Sequence, residues 1–319
     1  MKYATQGILS SIRRRLPPLV KGGARPSAAS RRRVRVPRTS PDTPKGRTRV
    51  HQIIPPELLL PQFFIPAATV LGLLLGSFYN VCIHRYVTGE SILFPPSHCP
   101  HCRGRLRFWE LVPVLSYLWL RGQCARCGQP IHIRYPLVEL LSGLAAGLLA
   151  WRYGPTPAFG VYLAFTGLLI VASGIDIDCF ILPDRITLGG AALAVPAAIW
   201  GLGMDWSDVL LGAALGGGTF FAVLVAFRRL RGVDGMGLGD VKLMLLLGAL
   251  CGPIGLPLVT LVGGVSALVA FLFIALFSPR EAPLREMPIP FGPFLSLGAF
   301  VQIVAGPQIL DWWVGFIAG

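Results

Sequence analysis

Eight apolar stretches, each close to the length of a membrane-spanning helix, dominate this sequence of 319 residues. They lie near residues 63–83, 136–153, 157–176, 185–203, 207–227, 239–253, 256–277 and 291–306. About 20 apolar residues are needed to cross the hydrocarbon core of a bilayer as an α-helix. Because 53% of the residues are hydrophobic and only 14% are charged, an ordinary soluble domain is excluded. The pattern predicts an all-α polytopic membrane protein with about eight transmembrane helices in the lipid bilayer.

The net charge of +14 is concentrated at the N-terminus. Residues 1–50 contain 14 Lys and Arg against the single acid Asp42, whereas the remaining residues carry 15 basic and 14 acidic groups. Residues 1–57 are rich in Arg, Pro and Ser and lack an apolar period. We therefore predict a disordered basic tail, with a wrongly assigned translation start as the alternative. Since the basicity belongs to the tail, we expect no nucleic-acid partner.

The loop after the first apolar stretch sets the predicted orientation. Residues 84–135 contain seven Arg but only Glu90 and Glu110 as acids. Cytoplasmic loops are enriched in basic residues, so we assign this loop to the cytoplasm. The predicted organisation is a first transmembrane helix at 58–83, a cytoplasmic insertion at 84–135 and a transmembrane domain at 136–319. Eight crossings then place the basic tail outside, which conflicts with the same rule.

The cytoplasmic insertion carries two CxxC pairs separated by 21 residues, formed by Cys99, Cys102, Cys124 and Cys127. Four thiolates in this spacing can hold a tetrahedral Zn²⁺ at about 2.3 Å from each sulfur, and Gly104 and Gly128 suit the turns around the metal. Four protein ligands close the coordination sphere, so the predicted zinc is structural. Two disulfides and a rubredoxin-like iron site are the alternatives, and a reducing cytosol disfavours the disulfides.

Four aspartates lie where the predicted spans meet the cytoplasm: Asp176, Asp178, Asp184 and Asp240. An ionisable side chain in a span is costly unless it is paired or lines a wet cavity, so it is a candidate for function. We predict that Asp176 and Asp240 form a pair sharing one proton. One carboxylate would activate a water and the other would protonate the carbonyl oxygen of a peptide bond. The alternatives are the cation path of a transporter and helix-end salt bridges to Lys242, Arg185 or Arg228.

Neighbouring residues refine this prediction. Asp178 is expected to point away from Asp176, and Asp184 is expected at a helix N-cap. The glycines that precede Asp240 allow another chain segment to approach closely. The glycine-rich segment 212–220 similarly favours close packing of helices in lipid.

Several motifs follow one another along residues 58–310. They are GSFYNVCIHR at 76–85, the paired CxxC, RYPLVELLSG at 134–143, IDIDCFILPDRIT at 175–187, GMGLGDVKL at 235–243 and PIPFGPFL at 288–295. In this order they resemble the type IV prepilin peptidases, bacterial GxGD-type intramembrane aspartyl proteases that are also leader peptidase/N-methyltransferases. The GxGD motif alone is weak, because presenilin-like proteases share it, whereas the combination is specific.

The resemblance implies that the protein removes a short basic leader from type IV prepilins or pseudopilins. The bond that is cut follows a Gly. The reaction is expected at the cytoplasmic face of the bacterial inner membrane. The resemblance places the catalytic aspartates at Asp176 and Asp240 and the metal-type cysteines at the four positions above. It also implies methylation of the new N-terminal amine, with S-adenosylmethionine as the donor.

The binding site of the methyl donor is less defined by the sequence, which has no Gly-rich nucleotide loop. Candidates near the junction of the first span and the insertion are Asn80, Arg85 and Glu139. Their structural alternatives are a hydrogen bond within the bundle for Asn80 and a salt bridge between Glu139 and Arg134. Candidates to attract a basic leader are Asp178, Asp184 and Asp234.

Three other functions are compatible with parts of the sequence. A GxGD protease with another substrate would share the aspartates, but the cysteine module argues against it. A small-solute transporter would use the same aspartates as ion ligands, and internal inverted repeats would favour it. A structural assembly factor would retain its role without any cleavage activity.

Overall fold

Helices make up nearly all of the regular structure in the computed structural model, which describes residues 60–94, 96–232, 237–277 and 289–318. They are α1 (Pro61–Thr88), α2 (Leu115–Trp119), α3 (Arg134–Tyr153), α4 (Pro157–Cys179), α5 (Asp184–Pro196), α6 (Trp206–Arg231), α7 (Leu238–Phe277) and α8 (Gly292–Ala318). Within the described ranges, β-structure is limited to isolated bridges near the cysteines. The prediction of an all-α chain is confirmed. The predicted tail at 1–57 lies outside the described residues.

Five helices in the described part of the chain are long and apolar enough to cross a membrane, namely α1, α4, α6, α7 and α8. Helices α3 and α5 coincide with two further apolar stretches, and α7 covers two of them. The polytopic membrane fold is therefore confirmed. The number of crossings stays a prediction.

Helix α7 is interrupted at Gly252, whose backbone angles (φ 67°, ψ 175°) are not helical. A positive φ is readily adopted by glycine because it lacks a Cβ. Pro253 follows, and proline suits the first turn of a new helix because its missing N–H would have no helical partner there. The two halves of α7 match the two apolar stretches predicted for this region.

The first half of α7 lies at the centre of the described bundle. Its side chains Leu243, Met244, Leu246 and Leu247 are wholly buried. Helices α4, α5, α6 and α8 all contribute residues to the same apolar cluster. A helix that is apolar and buried on all sides is surrounded by protein rather than by lipid. Asp240 therefore stands at the start of a helix that the rest of the bundle encloses.

Glycines bring α6 and α7 into backbone contact. A Cβ added at Gly212 would meet the carbonyl oxygen of Gly248, and one at Gly248 would meet that of Gly212. One turn along α6, a Cβ at Gly216 would meet the carbonyl oxygen of Met244. The predicted role of the segment 212–220 in close helix packing is confirmed.

Replacing Gly212 by Ala should destabilise the bundle. The added methyl group has no room at the α6–α7 crossing, and overpacking of this kind costs about 1–3 kcal/mol. Gly218→Ala is the matched control, because Gly218 lies in the same helix and its Cβ would meet nothing within 4 Å. Alanine is the better helix former, so the control should be neutral or stabilising. Thermal unfolding in detergent compares the two variants, and equal melting temperatures would contradict the close crossing.

Candidate active site

Four helix ends meet at one face of the bundle: the end of α4 and the starts of α5, α7 and α8. They enclose a cleft of about 690 Å³ whose lining includes Asp176, Asp184, Asp240 and Lys242. This volume lies in the range of ligand-binding pockets, so the cleft can admit part of a peptide chain. The structure thus brings Asp176 and Asp240, which come from different spans, into one cleft. Their catalytic role stays a prediction.

Asp176 is buried in the last turn of α4, with 5% of its surface exposed. Its Oδ2 accepts a hydrogen bond of 3.0 Å from the backbone N–H of Gly292. Gly292 is the first residue of α8, and the N-terminus of a helix carries partial positive charge, so α8 stabilises a negative charge on Asp176. A Cβ at Gly292 would lie 2.7 Å from the same oxygen. The hydrogen bond therefore requires glycine at this position.

The chain turns sharply directly after Asp176. Helix α4 ends because Phe180 adopts a left-handed conformation with φ 54°, and its N–H donates to the carbonyl oxygen of Asp176 at 2.8 Å. This conformation is unfavourable for a bulky residue and is maintained only where the surrounding structure enforces it. The turn leads the chain back into the bundle at Leu182, which is buried.

Asp240 is half-buried in the first turn of α7. Its backbone N–H donates to the carbonyl oxygen of Gly237 at 3.2 Å. A Cβ at Gly239 would lie 3.0 Å from Cβ of Leu182, and one at Gly292 would lie 3.1 Å from Cδ2 of Leu182. Leu182 therefore fills the space between the starts of α7 and α8. The expectation that the GxGD glycines allow another segment to approach closely is confirmed.

The other two aspartates form salt bridges. Both oxygens of the Asp178 carboxylate accept hydrogen bonds from Nη1 of Arg134, at 2.5 and 2.6 Å. Nζ of Lys242 donates to Oδ1 of Asp184 at 2.6 Å. The predicted N-cap role of Asp184 is wrong: Pro183 occupies the cap, and Asp184 is the first helical residue and makes no capping bond. A proline without an N–H to satisfy suits this position.

These pairs separate the four aspartates into two groups. In the described part of the chain, no basic side chain lies within salt-bridge distance of Asp176 or Asp240. The predicted helix-end salt bridge to Lys242 is confirmed for Asp184, whereas Asp178 pairs with Arg134, which was not among the predicted partners. Both pairs neutralise part of the charge expected to attract a basic leader. Asp234, the third candidate for that role, lies outside the described residues.

The four cysteines of the insertion lie together. All four Sγ atoms are within 4.8 Å of one another, and those of Cys99 and Cys127 are 3.9 Å apart. In a tetrahedral site with Zn–S bonds of 2.3 Å, the sulfurs are about 3.8 Å apart. The cluster could therefore hold a metal ion of this kind. The cysteines are free thiols, whereas disulfides would bring the sulfurs to about 2.05 Å.

Two similar loops present these cysteines. In each loop, the N–H of the first cysteine, Cys99 or Cys124, donates to the carbonyl oxygen five residues later, at 3.0 and 2.8 Å. The residue four positions after that cysteine has a positive φ, with values of 54° at Arg103 and 68° at Gly128. The turn predicted at Gly128 is confirmed. In the first loop the left-handed residue is Arg103, and the next residue, Gly104, closes the turn by accepting the N–H of Cys99.

The backbone also favours the thiolate form of Cys124. The N–H groups of Cys127 and Arg126 donate to its sulfur and lower the pKa of the Cys124 thiol to about 7. Only thiolates bind metal ions well. Cys124 is therefore suited to bind a cation as a thiolate near neutral pH, whereas desolvation and hydrogen bonds with the other cysteines raise the pKa of the Cys127 thiol to about 11.

Replacing Cys124 by Ser should prevent the cysteine cluster from holding a metal ion. An ion in the cluster would lose one of its four ligands, and even changes outside the ligand set weaken metal binding by about 10- to 100-fold. We expect low metal content by elemental analysis and faster trypsin cleavage at the arginines of the insertion, with the helical content of the bundle retained. Cys82→Ser is the control, because Cys82 lies in α1 outside the cluster. Full metal content in Cys124→Ser would contradict the four-cysteine site.

A second cavity lies between α1, α3 and the cysteine loops, and the candidates Asn80, Arg85 and Glu139 all line it. All three side chains are buried. Asn80 donates to the carbonyl oxygen of Tyr135 at 2.9 Å, the hydrogen bond within the bundle that was its structural alternative.

Glu139 and Arg85 instead contact segments of the insertion. The predicted salt bridge between Glu139 and Arg134 is wrong, because Arg134 binds Asp178. Oε2 of Glu139 accepts a hydrogen bond from the N–H of Val114 at 2.8 Å. Nη1 of Arg85 donates to two carbonyl oxygens in the segment that follows α1, at 2.6 and 2.7 Å.

Two family models match the chain, one over the part with the cysteine cluster and the other over the part with the two aspartates of the cleft. The bacterial peptidase A24 N-terminal domain matches residues 70–153, which contain the cysteines and the second cavity. The type IV leader peptidase family matches residues 163–274, which contain Asp176 and Asp240. The chain belongs to the type IV leader peptidase family. The family predicted from the motifs is therefore confirmed.

Relatives in the leader peptidase family carry the name prepilin leader peptidase/N-methyltransferase. The protein of Stutzerimonas stutzeri is 36% identical over 80% of this chain and 96% of its own length. That of Pseudomonas putida is 38% identical over 78% of the chain and 93% of its own length. That of Neisseria gonorrhoeae is 35% identical over 80% of the chain and 96% of its own length. No solved structure matches the chain.

The contact of Gly292 with Asp176 is a feature of the cleft that the sequence motifs do not predict. Gly292 lies in PIPFGPFL, where a glycine follows Pro and Phe at the start of a predicted span. The N–H groups at a helix start can reach an anion, and glycine allows the closest approach. A glycine at the start of a predicted helix therefore indicates a possible contact with an anion. The sequence does not show that this anion is Asp176, because Asp176 lies in another span.

Proposed function

We propose that this member of the leader peptidase family removes the leader from type IV prepilins or pseudopilins and then methylates the new N-terminal amine. The observation that carries the proposal is the meeting of Asp176 and Asp240 in one cleft between four helix ends. The relatives named as prepilin leader peptidase/N-methyltransferases support the substrate class and the second activity.

The two aspartates would divide the proton transfers of hydrolysis. Asp176 accepts the N–H of Gly292, so it is suited to remain ionised and to take a proton from the attacking water. Asp240 is then the acid that protonates the carbonyl oxygen of the scissile peptide bond. The water oxygen bonds to the carbonyl carbon, the C–N bond breaks, and the amine leaves with a proton.

We place the cleft at the cytoplasmic face of the bacterial inner membrane. The salt bridge between Arg134 and Asp178 joins the start of α3 to the end of α4. The arginine-rich insertion and the cleft are therefore on one side of the bundle, and basic segments favour the cytoplasm. The apolar helix of a prepilin can then lie in lipid while its leader junction reaches the cleft.

The cysteine cluster is proposed to bind a structural Zn²⁺. All four sulfurs would be ligands, which leaves no coordination position for a substrate, so the ion would brace the insertion. S-adenosylmethionine, when bound, would supply an electrophilic methyl group to the new amine. Residues of the insertion and of the adjoining helix ends would hold it.

Leader removal from a co-expressed prepilin tests the proposal. We expect mass spectrometry of the pilin to show a mature N-terminus carrying one additional methyl group, whereas cells without the enzyme retain the uncut prepilin. An uncut prepilin in membranes that contain the folded enzyme would overturn the proposal. A protease for another substrate, or a small-solute transporter, would then be the better assignment.

A further inference from the structure

The insertion that carries the cysteines exposes large apolar side chains to which neither the cysteine cluster nor the cleft gives a role. They lie in a short 3₁₀-helix, Phe108–Leu111, and in α2, and the two elements contact each other. We call them the insertion patch and define it by Phe108, Trp109, Leu115, Leu118 and Trp119. Trp119 is 87% exposed, Phe108 77% and Leu118 65%. An exposed apolar surface of this kind marks contact with a partner or a membrane.

The segment between the two short helices is held firmly against α3. Pro113 is buried, and the N–H of Val114 donates to Oε2 of Glu139 at 2.8 Å. Val114 has a φ of 61°, which is unfavourable for a β-branched residue and is maintained only where the surroundings enforce it. Glu139 therefore fixes the turn from which α2 begins, and the patch belongs to a defined surface.

The same hydrogen bond sets the level of the insertion patch along the bundle. Glu139 lies in the second turn of α3, and Leu137, Leu140 and Leu141 beside it are exposed. Helix α3 coincides with an apolar stretch predicted to span the membrane, and exposed leucines on such a helix face lipid. The patch therefore lies at the level where the exposed apolar surface of α3 begins.

Arginines surround the insertion patch in the sequence. Residues 97–131 contain Glu110 as their single carboxylate. The same residues contain five arginines, all of them exposed: Arg103, Arg105, Arg107, Arg121 and Arg126. The guanidinium of Arg107 lies 5.2 Å from the centre of the Trp109 ring. Exposed Trp, Phe and Leu together with arginines are typical of segments that lie in the membrane interface and are attracted by anionic headgroups.

We propose that the insertion patch lies in the headgroup region of the cytoplasmic leaflet, with Leu118 and Trp119 among the lipids and the neighbouring arginines on anionic phosphates. This inference goes beyond the proposed function and uses from it only the cytoplasmic placement of the insertion. Leucine gains free energy by leaving water, and tryptophan favours the interface because its ring is apolar and its N–H is polar. The bilayer then supports the exposed side of the insertion.

Photocrosslinking of the full-length enzyme tests the contact directly. The photoreactive p-benzoylphenylalanine replaces Trp119 in enzyme reconstituted in nanodiscs of phosphatidylethanolamine and phosphatidylglycerol. We expect irradiation to attach a phospholipid to the peptide that contains position 119, as detected by mass spectrometry. The same probe at Gln129, an exposed residue of the second cysteine loop, is the control and should give little lipid adduct.

Other occupants of the insertion patch would give other products. Equal lipid adducts at positions 119 and 129, or a crosslink from position 119 to a second copy of the enzyme, would overturn the inference. A crosslink to added prepilin in place of lipid would also overturn it and would assign the patch to the substrate.

A double variant, Leu118→Ser with Trp119→Ser, tests the consequence of losing the contact. Because both side chains are exposed, the melting temperature in detergent should change little. In the same nanodiscs, trypsin should cut after Arg121 at least about tenfold faster than in the wild type, since the insertion is released from the lipid. Leu230→Ser, at an exposed leucine near the end of α6, is the control.

Equal trypsin rates in the double variant and the wild type would overturn the inference. Leader cleavage measured on the same nanodiscs distinguishes its failure from that of the proposed function. Wild-type enzyme that cleaves prepilin but gives no lipid adduct contradicts only the contact with the bilayer. Enzyme that gives the lipid adduct but leaves prepilin uncut contradicts only the proposed function.

Discussion

Replacing Asp176 or Asp240 by Asn will abolish leader cleavage and leave the enzyme folded in the membrane. Asn has the shape of Asp and can still accept the N–H of Gly292 at position 176, but it cannot exchange a proton at neutral pH. General acid–base catalysis contributes about 10²- to 10⁴-fold to a rate. Cleavage of purified prepilin in detergent, followed by mass spectrometry of the mature N-terminus, measures the loss.

Asp208→Asn is the control for both variants, since Asp208 is exposed and lies in the first turn of α6, outside the cleft. It should cleave at the wild-type rate. A folded Asp176→Asn or Asp240→Asn enzyme that cleaves normally would show that the residue has no part in proton transfer. Methylation of a pilin that is already mature should survive both substitutions, because the cavity beside the cysteine loops is separate from the cleft that contains the two aspartates.

Gly292→Ala should lower the cleavage rate by about 10²-fold, the effect that a displacement of about 1 Å can have on a catalytic group. The new Cβ would lie 2.7 Å from Oδ2 of Asp176 and 3.1 Å from Cδ2 of Leu182. The carboxylate must move, and its hydrogen bond from the start of α8 lengthens. We expect kcat to fall with little change in KM, because the substitution displaces a catalytic group and removes no contact with the pilin.

The matched control is Gly315→Ala, since Gly315 also lies in α8 and a Cβ there meets nothing within 4 Å. Because Gly292 acts through Asp176, its variant should also shift the pH profile of kcat, which a loss of stability alone would not do. An unchanged kcat and pH profile in a folded Gly292→Ala enzyme would remove Gly292 from the site.

The sequence predicts the features of this protein that depend on local pattern. Long apolar stretches fix the helices, and the two stretches around Gly252 anticipate the interruption of α7. The spacing of the CxxC pairs predicts the cysteine cluster, because a turn of a few residues brings the two cysteines of each pair close together. Motifs on two different spans were needed to predict that Asp176 and Asp240 meet.

The features that the sequence does not predict depend on contacts between distant segments. The pairing of Asp184 with Lys242, the bond of Glu139 to Val114 and the bond of Gly292 to Asp176 each join different helices or loops. Nothing in the residues beside Glu139 favours a loop amide over the neighbouring Arg134. These pairings depend on how the helix ends come together in the folded bundle. A pattern of residues within one segment does not predict that arrangement.

Leu182 influences the spacing of the helix ends that form the cleft. The side chain fits between Gly239 at the start of α7 and Gly292 at the start of α8. One of these segments carries the second aspartate and the other carries the N–H donor to the first. The size of this aliphatic side chain therefore contributes to the distance between the segment that carries Asp240 and the N–H donor to Asp176. Activity at this site could be tuned by a methyl group on Leu182 while every polar atom stayed the same.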